Sequence, residues 1–182
     1  MTGAPKLELK MVRLLPVAFA AALLFALPAA AQDLTGLMQA EAQVAAAWET
    51  TPLSFRKTLF ATRIEAFGVY EEKAGTVFAP DEPIIVYAEP VGYGYRANAD
   101  GTFDFGFDFD LAVKNDVGEI VSGKEGFAST VLTSKVQNRE FLVTLTLTLS
   151  GAPAGNYVLE YLARDVASGE TATIGLPFTI SD

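Results

Sequence analysis

The 182-residue chain contains neither cysteine nor histidine. Without cysteine it can form no disulfide, no thiolate metal site and no cysteine nucleophile. Without histidine it lacks the base of a Ser-His-Asp triad and the commonest ligand of catalytic zinc. Because the commoner catalytic bases are missing, we expect a protein that is not an enzyme and that uses no cofactor.

Basic residues are also scarce. The chain has 13 Lys and Arg residues against 22 Asp and Glu residues, which gives a formal net charge of −9. Contacts with phosphates require a basic patch, and the few Lys and Arg residues are dispersed along the chain. We therefore expect no nucleic-acid partner.

The first 31 residues have the pattern of a secretory signal peptide. Three basic residues precede an uncharged apolar run of 14 residues, 14–27, and the sequence PAAA at 28–31 provides a cleavage site. The alternative is an uncleaved membrane anchor, although a spanning helix needs about 20 apolar residues. Met11 is an alternative start, since 11–31 alone form a compact signal. We predict a periplasmic or secreted protein that meets the membrane only through this signal, before cleavage.

Cleavage after Ala31 would leave 32–182, a chain of 151 residues with 10 basic and 21 acidic residues and a net charge of −11. That length suits one domain, which buries about 68–70% of its unfolded surface and needs no disulfides. We divide it into an N-terminal amphipathic helix at 32–51 and a β domain at 52–182.

The helix is predicted over 33–49, and Pro52 follows its end. One helical stripe, apolar except for its glutamate, consists of Leu34, Leu37, Met38, Glu41, Ala45 and Trp48. Two interpretations stay open at this point. The helix either packs on the domain through this stripe or docks on a partner with it.

From residue 52 onward the hydrophobic pattern changes to a period of two. Strands are predicted at 53–61, 84–88, 102–114, 119–122, 126–136, 140–149, 157–164 and 171–180. The segment 62–82 is predicted to be irregular, with brief pairing at 76–78, and Pro90 is predicted to end the strand at 84–88. No helical pattern separates the strands, which argues against a parallel sheet. The sequence therefore predicts an all-β, immunoglobulin-like antiparallel sandwich of about seven to eight strands.

The strand at 102–114 alternates most clearly. Its odd positions are apolar, and its even positions are mainly acidic or small. Successive strand side chains point to opposite faces of a sheet. We therefore predict one buried and one exposed face, formed by Phe105, Phe107 and Phe109 and by Asp104, Asp108 and Asp110 respectively.

Tyr157 enters a late strand just after a glycine-containing loop, as in the tyrosine corner of immunoglobulin-like sandwiches. Further strand-and-turn stretches are FAPDEPIIVYAEPVGYGY (78–95), PAGNYVLEY (153–161), RDVASGE (164–170) and LPFTI (176–180). On these stretches residues 52–182 resemble a family of small exported bacterial proteins with immunoglobulin-like sandwiches. The resemblance implies the fold and export, and it assigns no activity and no site residue.

The loop Tyr93-Gly94-Tyr95-Arg96 is the candidate binding segment. Tyr and Arg are enriched where proteins bind partners, and loops on a rigid sandwich carry binding residues. We predict that Tyr93, Tyr95 and Arg96 contact an envelope protein or a glycan. The alternative is a strand end with one tyrosine packed over the mouth of the sandwich.

Acidic side chains suggest two further hypotheses. Asp108, Asp110 and Asp116 are candidate ligands for Ca²⁺, which takes six to eight oxygens, although acidic residues on a sheet face also serve to block edge pairing. Paired carboxylates could serve a small hydrolase. Our main prediction is an exported, non-catalytic protein acting in binding or assembly in the bacterial cell envelope; the alternatives are a carbohydrate- or Ca²⁺-binding module and a small carboxylate hydrolase.

Overall fold

The structure is a computed structural model that describes residues 34–182. In that part of the chain one helix, α1 (Leu34–Thr50), precedes ten strands. The strands are β1 (Ser54–Ala66), β2 (Val69–Glu72), β3 (Val77–Phe78), β4 (Ile84–Val91), β5 (Arg96–Ala97), β6 (Phe103–Asn115), β7 (Ile120–Ser134), β8 (Val143–Leu147), β9 (Gly155–Asp165) and β10 (Thr171–Ile180). The predicted signal peptide, with its cleavage site, lies outside the described residues.

The strands form two sheets that share one core. The first sheet has the order β2-β1-β4-β8, and the second has the order β3-β10-β9-β6, with both β5 and β7 paired to β6. Every pairing is antiparallel except the short one between β3 and β10, which is parallel. Buried side chains from both sheets form a single hydrophobic cluster. The all-β prediction is confirmed, and the architecture is sandwich-like.

The aromatic face of β6 lies at the centre of this core. Phe105, Phe107 and Phe109 are 0% exposed. Phe141 stacks on Phe107 with ring centroids 5.8 Å apart, and it meets Phe105 edge to face. The predicted register of β6 is therefore confirmed for its apolar face, because the alternation of the sequence matches the strand period.

The acidic face of β6 is only partly as predicted. Asp108 is exposed, but Asp104 and Asp110 are half-buried. The carboxylate of Asp104 accepts hydrogen bonds from Thr133 Oγ1 at 2.6 Å and from Asn98 Nδ2 at 3.0 Å. The prediction that both side chains are exposed was wrong, because polar groups from neighbouring segments pair with them.

Two strands extend beyond their predicted ends. Within 62–82, predicted to be irregular, β1 continues to Ala66 and returns as β2 through a two-residue turn. Gly68 has φ 72° there, which two-residue hairpin turns favour. In β4 the strand runs past Pro90, which lies opposite Phe55 beside a register shift. Proline is tolerated at such irregularities, where it interrupts no regular ladder.

The predicted strands 119–122 and 126–136 are one continuous strand, β7. Their Gly-Lys-Glu-Gly spacer is accommodated by a bulge, since Ala128 lies opposite Phe109 while Lys124 lies opposite Leu111. The predicted strand at 140–149 is shorter in the structure, where it forms β8. The predicted brief pairing at 76–78 is confirmed by β3.

Helix α1 contacts the domain mainly through its C-terminal turns. None of its residues is buried, and Leu34, Leu37 and Met38 are each more than half exposed. Ala45 and Trp48 are half-buried. Of the two interpretations, α1 therefore packs on the domain, but only through the Ala45 and Trp48 end of its stripe. Among residues 34–182 no helix combines the length and apolar character needed to cross a membrane.

Candidate functional site: the Trp48 cleft

A cleft of about 250 Å³ lies at one end of the two sheets. Its walls come from the last turns of α1, the loop at 92–95, the segment 137–139 and the turn that follows β9. We call it the Trp48 cleft, because Trp48 joins the helix to the domain there. The indole Nε1 of Trp48 donates a hydrogen bond to the backbone oxygen of Tyr93 at 2.8 Å.

Tyr93 forms the floor of the cleft. Its side chain is 1% exposed, and its ring is stacked near Phe105 and meets Trp48 edge to face. Its hydroxyl donates to the backbone oxygen of Asn138 at 2.6 Å. Burial raises the pKa of this phenol, and the neighbouring Tyr95 raises it further. Tyr93 is thus a core residue, as in the alternative that placed one tyrosine over the mouth of the sandwich.

Tyr95 lines the wall of the cleft and is half-buried. Its hydroxyl donates to the same Asn138 oxygen, also at 2.6 Å. Burial raises the pKa of Tyr95 as well. Both tyrosines stay protonated and neutral near pH 7, so they offer aromatic surface and hydrogen bonds but no charge.

Arg96 does not line the cleft. Its exposed guanidinium donates to the Asp104 carboxylate at 3.1 Å, and this pair lies at the start of β6. The structure therefore brings together two of the three predicted binding residues, Tyr93 and Tyr95, and directs the third to an ion pair outside the cleft.

Arg139 supplies the cation that Arg96 does not. It is half-buried and lines the Trp48 cleft, and within residues 34–182 it has no ion pair or hydrogen bond. A half-buried guanidinium without a carboxylate leaves up to five N–H donors for a ligand. Sequence reasoning missed it, because its position beside two tyrosines distant in sequence depends on the tertiary fold.

Glutamates moderate the charge of the cleft. Glu49 and Glu170 also line it. The Glu170 carboxylate is already engaged, since it accepts the backbone N–H of Leu53 at 2.9 Å. The cleft therefore presents one unpaired guanidinium, the exposed carboxylates of Glu49 and Glu170, and the aromatic surfaces of Trp48 and Tyr95.

Asp165 links two walls of the cleft, the loop at 92–95 and the turn that follows β9. It is 2% exposed and accepts hydrogen bonds from Gly94 N and Ser168 Oγ, each at 2.6 Å, and from Ala167 N at 2.8 Å. The bond from Ala167 N closes an Asx turn, in which an Asp side chain accepts from the backbone N–H two residues further on. The sequence RDVASGE predicts this turn, but it does not predict the hydrogen bond to Gly94.

The calcium hypothesis has no support in the described chain. Asp110 is bonded to Arg164 at 2.6 Å, and Asp116 lies in the turn after β6, far along the strand from Asp108. Residues 34–182 hold no group of three or more acidic side chains that could bind a metal ion. The three carboxylates share a strand and its turn in sequence, but the extended backbone separates them.

A second, larger cleft of about 580 Å³ lies at the opposite end, between the end of β6, the start of β7 and the loop before β9. Its lining includes Val113, Val121, Leu147, Leu149 and Tyr157 and contains no charged side chain. The Trp48 cleft is the stronger candidate, because it combines aromatic walls with an unpaired cation.

Comparison of this chain with protein-family models and with curated proteins finds no match. The resemblance of residues 52–182 to a family of small exported proteins therefore stays a prediction.

Proposed function

We propose that this chain is an exported, non-catalytic binding protein that holds a partner protein in the bacterial cell envelope through the Trp48 cleft. The observation that carries the proposal is the unpaired guanidinium of Arg139 beside Trp48 and Tyr95. Trp, Tyr and Arg are the residue types that dominate binding energy in protein interfaces. Export rests on the signal-peptide pattern of the first 31 residues.

We propose further that the domain is an immunoglobulin-like sandwich. The orders β1-β4-β8 and β10-β9-β6-β7 match the A-B-E and G-F-C-C′ sheets of that fold. The Tyr157 hydroxyl donates to the backbone oxygen of Pro153 at 2.8 Å, four residues upstream. This bond has the pattern of a tyrosine corner, and it supports the same assignment.

The size of the cleft and the unpaired guanidinium of Arg139 favour one protruding acidic side chain as the bound group, placed on the Arg139 side and away from Glu49 and Glu170. A volume of about 250 Å³ is smaller than the pockets of about 300–1,000 Å³ that enclose drug-sized ligands. A carboxylate from a partner would pair with the half-buried Arg139 through charge-assisted hydrogen bonds. The aromatic surfaces of Trp48 and Tyr95 would then pack on the apolar stem of that side chain.

The test is a binding measurement on variants that leave the fold intact. The wild type is used to capture partners from envelope extract, and the dissociation constant of the main partner is measured for Arg139→Ala and Tyr95→Ala. Truncation of an interface hot spot costs about 2 kcal/mol, so Arg139→Ala should weaken binding roughly 30-fold. Arg63→Ala is the matched control, because Arg63 is an exposed arginine on β1, outside the cleft.

Equal dissociation constants for Arg139→Ala and Arg63→Ala would overturn the proposal. Capture of a glycan, lost in Arg139→Ala, would instead assign the carbohydrate-binding alternative. Melting temperatures of all variants are recorded alongside, because a large fall in Arg139→Ala would make that side chain structural.

A further inference from the structure

The Trp48 cleft contains charges of both signs that do not pair with each other. Arg139 is half-buried in its lining, whereas Glu49 and Glu170 line the same cleft and are exposed. In the part of the chain that the structure describes, Arg139 forms no ion pair with either glutamate. A bound carboxylate would therefore pair with Arg139 and leave the negative charges of the cleft without a partner.

The positive charge of the cleft lies at its tyrosine end. Burial raises the pKa of Tyr95, while the charge of Arg139 lowers that pKa and the charge of Asp165 raises it. Arg139 is therefore within electrostatic range of the Tyr95 hydroxyl. The carboxylate of Asp165 already accepts hydrogen bonds from Gly94, Ala167 and Ser168. The group that remains to be paired at this end is the guanidinium of Arg139, which can donate to a carboxylate through two N–H groups.

A negative charge lies at the C-terminal end of α1. Glu49 is the residue before the last residue of the helix, and the last turn of α1 contains no basic side chain. The partial negative charge of a helix C-terminus favours cations and disfavours a carboxylate. Glu49 departs from this rule, and within residues 34–182 it has no hydrogen bond or ion pair that offsets the cost. Such departures from local preference are expected at functional sites.

An ammonium group bound at this end would meet several favourable partners. It would pair with the carboxylate of Glu49 and lie next to the negative end of the α1 dipole. Trp48 precedes Glu49 and lines the cleft as well, and the face of an indole ring attracts a cation. The α1 end of the cleft therefore favours an ammonium group, just as the tyrosine end favours a carboxylate.

The volume of the cleft limits the size of a ligand that carries both charges. About 250 Å³ corresponds to the liquid volume of about eight water molecules, at about 30 Å³ each. A molecule of about eight non-hydrogen atoms, such as the free amino acid valine, suits this space. Both of its charged groups are attached to one carbon atom, and charge-assisted hydrogen bonds of about 2.7–2.9 Å extend the reach of each group toward the protein.

We propose that the Trp48 cleft binds a small zwitterion of the α-amino acid class, with its carboxylate on Arg139 and its ammonium group on Glu49, and that the bound zwitterion competes with the acidic side chain of the partner. The competition rests on the proposed function, because both ligands use Arg139. The binding of the zwitterion does not depend on a partner. The cleft thereby couples partner binding to the concentration of a free amino acid.

The fluorescence of Trp48 measures this binding directly, because the chain contains one tryptophan. The wild type is titrated with valine, with isovalerate, which lacks the ammonium group, and with isobutylamine, which lacks the carboxylate. Calorimetry measures the same three dissociation constants independently. Valine should bind at least about tenfold more tightly than either analogue, since each analogue loses the hydrogen bonds of one charged group. Equal constants for the three ligands, or no binding of valine by either method, would overturn the proposal.

Two variants assign the two charged groups of the ligand. Glu49→Gln should weaken the binding of valine about tenfold and should not weaken that of isovalerate. Arg139→Ala should weaken the binding of valine and leave that of isobutylamine unchanged. Glu41→Gln is the matched control, because Glu41 is an exposed glutamate of α1 that does not line the cleft. The same valine constant for Glu49→Gln and Glu41→Gln would contradict the assignment of the ammonium group.

Competition with the partner separates this proposal from the proposed function. Valine at about ten times its own dissociation constant should raise the apparent dissociation constant of the captured partner about tenfold, by mass action. An unchanged constant for the partner would overturn the competition. If valine does not bind while Arg139→Ala still weakens partner binding, the zwitterion proposal fails and the proposed function stands. If valine binds while Arg139→Ala leaves partner binding unchanged, the zwitterion site stands and the proposed function fails.

Discussion

The buried carboxylate of Asp165 accepts a hydrogen bond from the backbone N–H of Gly94 at 2.6 Å and so ties the turn after β9 to the loop that carries both cleft tyrosines. Asp165→Ala should lower the free energy of unfolding by about 3 kcal/mol, since hydrogen bonds to a charged group contribute about 1.5–3 kcal/mol and their donors would be left unpaired. Urea unfolding measures the change. Asp165→Ala with wild-type stability would show that this link does not hold the loop.

The register of β6 is tested by truncating one residue on each face. Phe107→Ala should cost about 3–5 kcal/mol, because it removes a fully buried ring from the core. Asp108→Asn, one residue further on the exposed face, should change stability by less than about 0.5 kcal/mol. Thermal unfolding compares the two variants, and equal melting temperatures would contradict the two-face arrangement.

Gly106 is required where β6 and β7 approach each other. It is buried with φ 151°, and a Cβ there would lie 2.0 Å from the backbone oxygen of Thr130. Gly106→Ala should destabilise the domain by about 3 kcal/mol or more, since overpacking and backbone strain each cost about 1–3 kcal/mol.

Gly175 in β10 provides the control for that substitution. A Cβ at Gly175 would meet nothing within 4 Å. Gly175→Ala should therefore leave stability within about 0.5 kcal/mol of the wild type. Chemical denaturation of both variants decides the point, and similar losses for the two alanines would mean that the close approach at Gly106 is not present in solution.

Buried tyrosines predict a loss of stability at high pH. Burial, with a hydrogen bond donated to Glu89, raises the pKa of Tyr87 to about 12. The unfolded phenol has a pKa of about 10, so above that pH the unfolded state loses its proton first. The contribution of Tyr87 is therefore complete below about pH 10 and is lost as the pH rises through 12.

A series of urea titrations between pH 8 and about 12 measures that loss. In Tyr87→Phe the decline should be shallower than in the wild type, because one titrating group is removed while Tyr93 and Tyr161, whose pKa values burial also raises, remain. Parallel pH profiles for the two proteins would show that Tyr87 titrates alike in the folded and unfolded states.

The local sequence pattern predicted the strands better than it predicted the contacts of their side chains. The alternation of Phe105, Phe107 and Phe109 identified the buried face of β6, because strand periodicity is a local property. It could not show that Thr133 and Asn98 cover Asp104 on the other face. The ends of β1 and β4 were predicted too early at a glycine and a proline. Gly68 lies in a hairpin turn, and Pro90 lies beside a register shift between β1 and β4.

The candidate site was predicted only in part, because the sequence pattern is local and the site joins segments that are distant in sequence. Composition pointed to the loop at 93–96, and the structure places Tyr93 and Tyr95 at the cleft. Arg139 and Asp165 reach that loop only through the fold, and no nearby motif marks Arg139. The direction of Arg96 toward Asp104 likewise follows from the pairing of β5 with β6.

Site-specific photo-cross-linking in cells tests the role of the Trp48 cleft most directly. A benzophenone side chain at Gln137, an exposed residue on the rim of the cleft, should yield one covalent adduct with an envelope protein, and Arg139→Ala in the same chain should abolish it. The same probe at Val117, exposed in the turn after β6 at the opposite end, should yield no such adduct. An adduct at Gln137 that persists in Arg139→Ala, or that also forms from Val117, would contradict binding at this cleft.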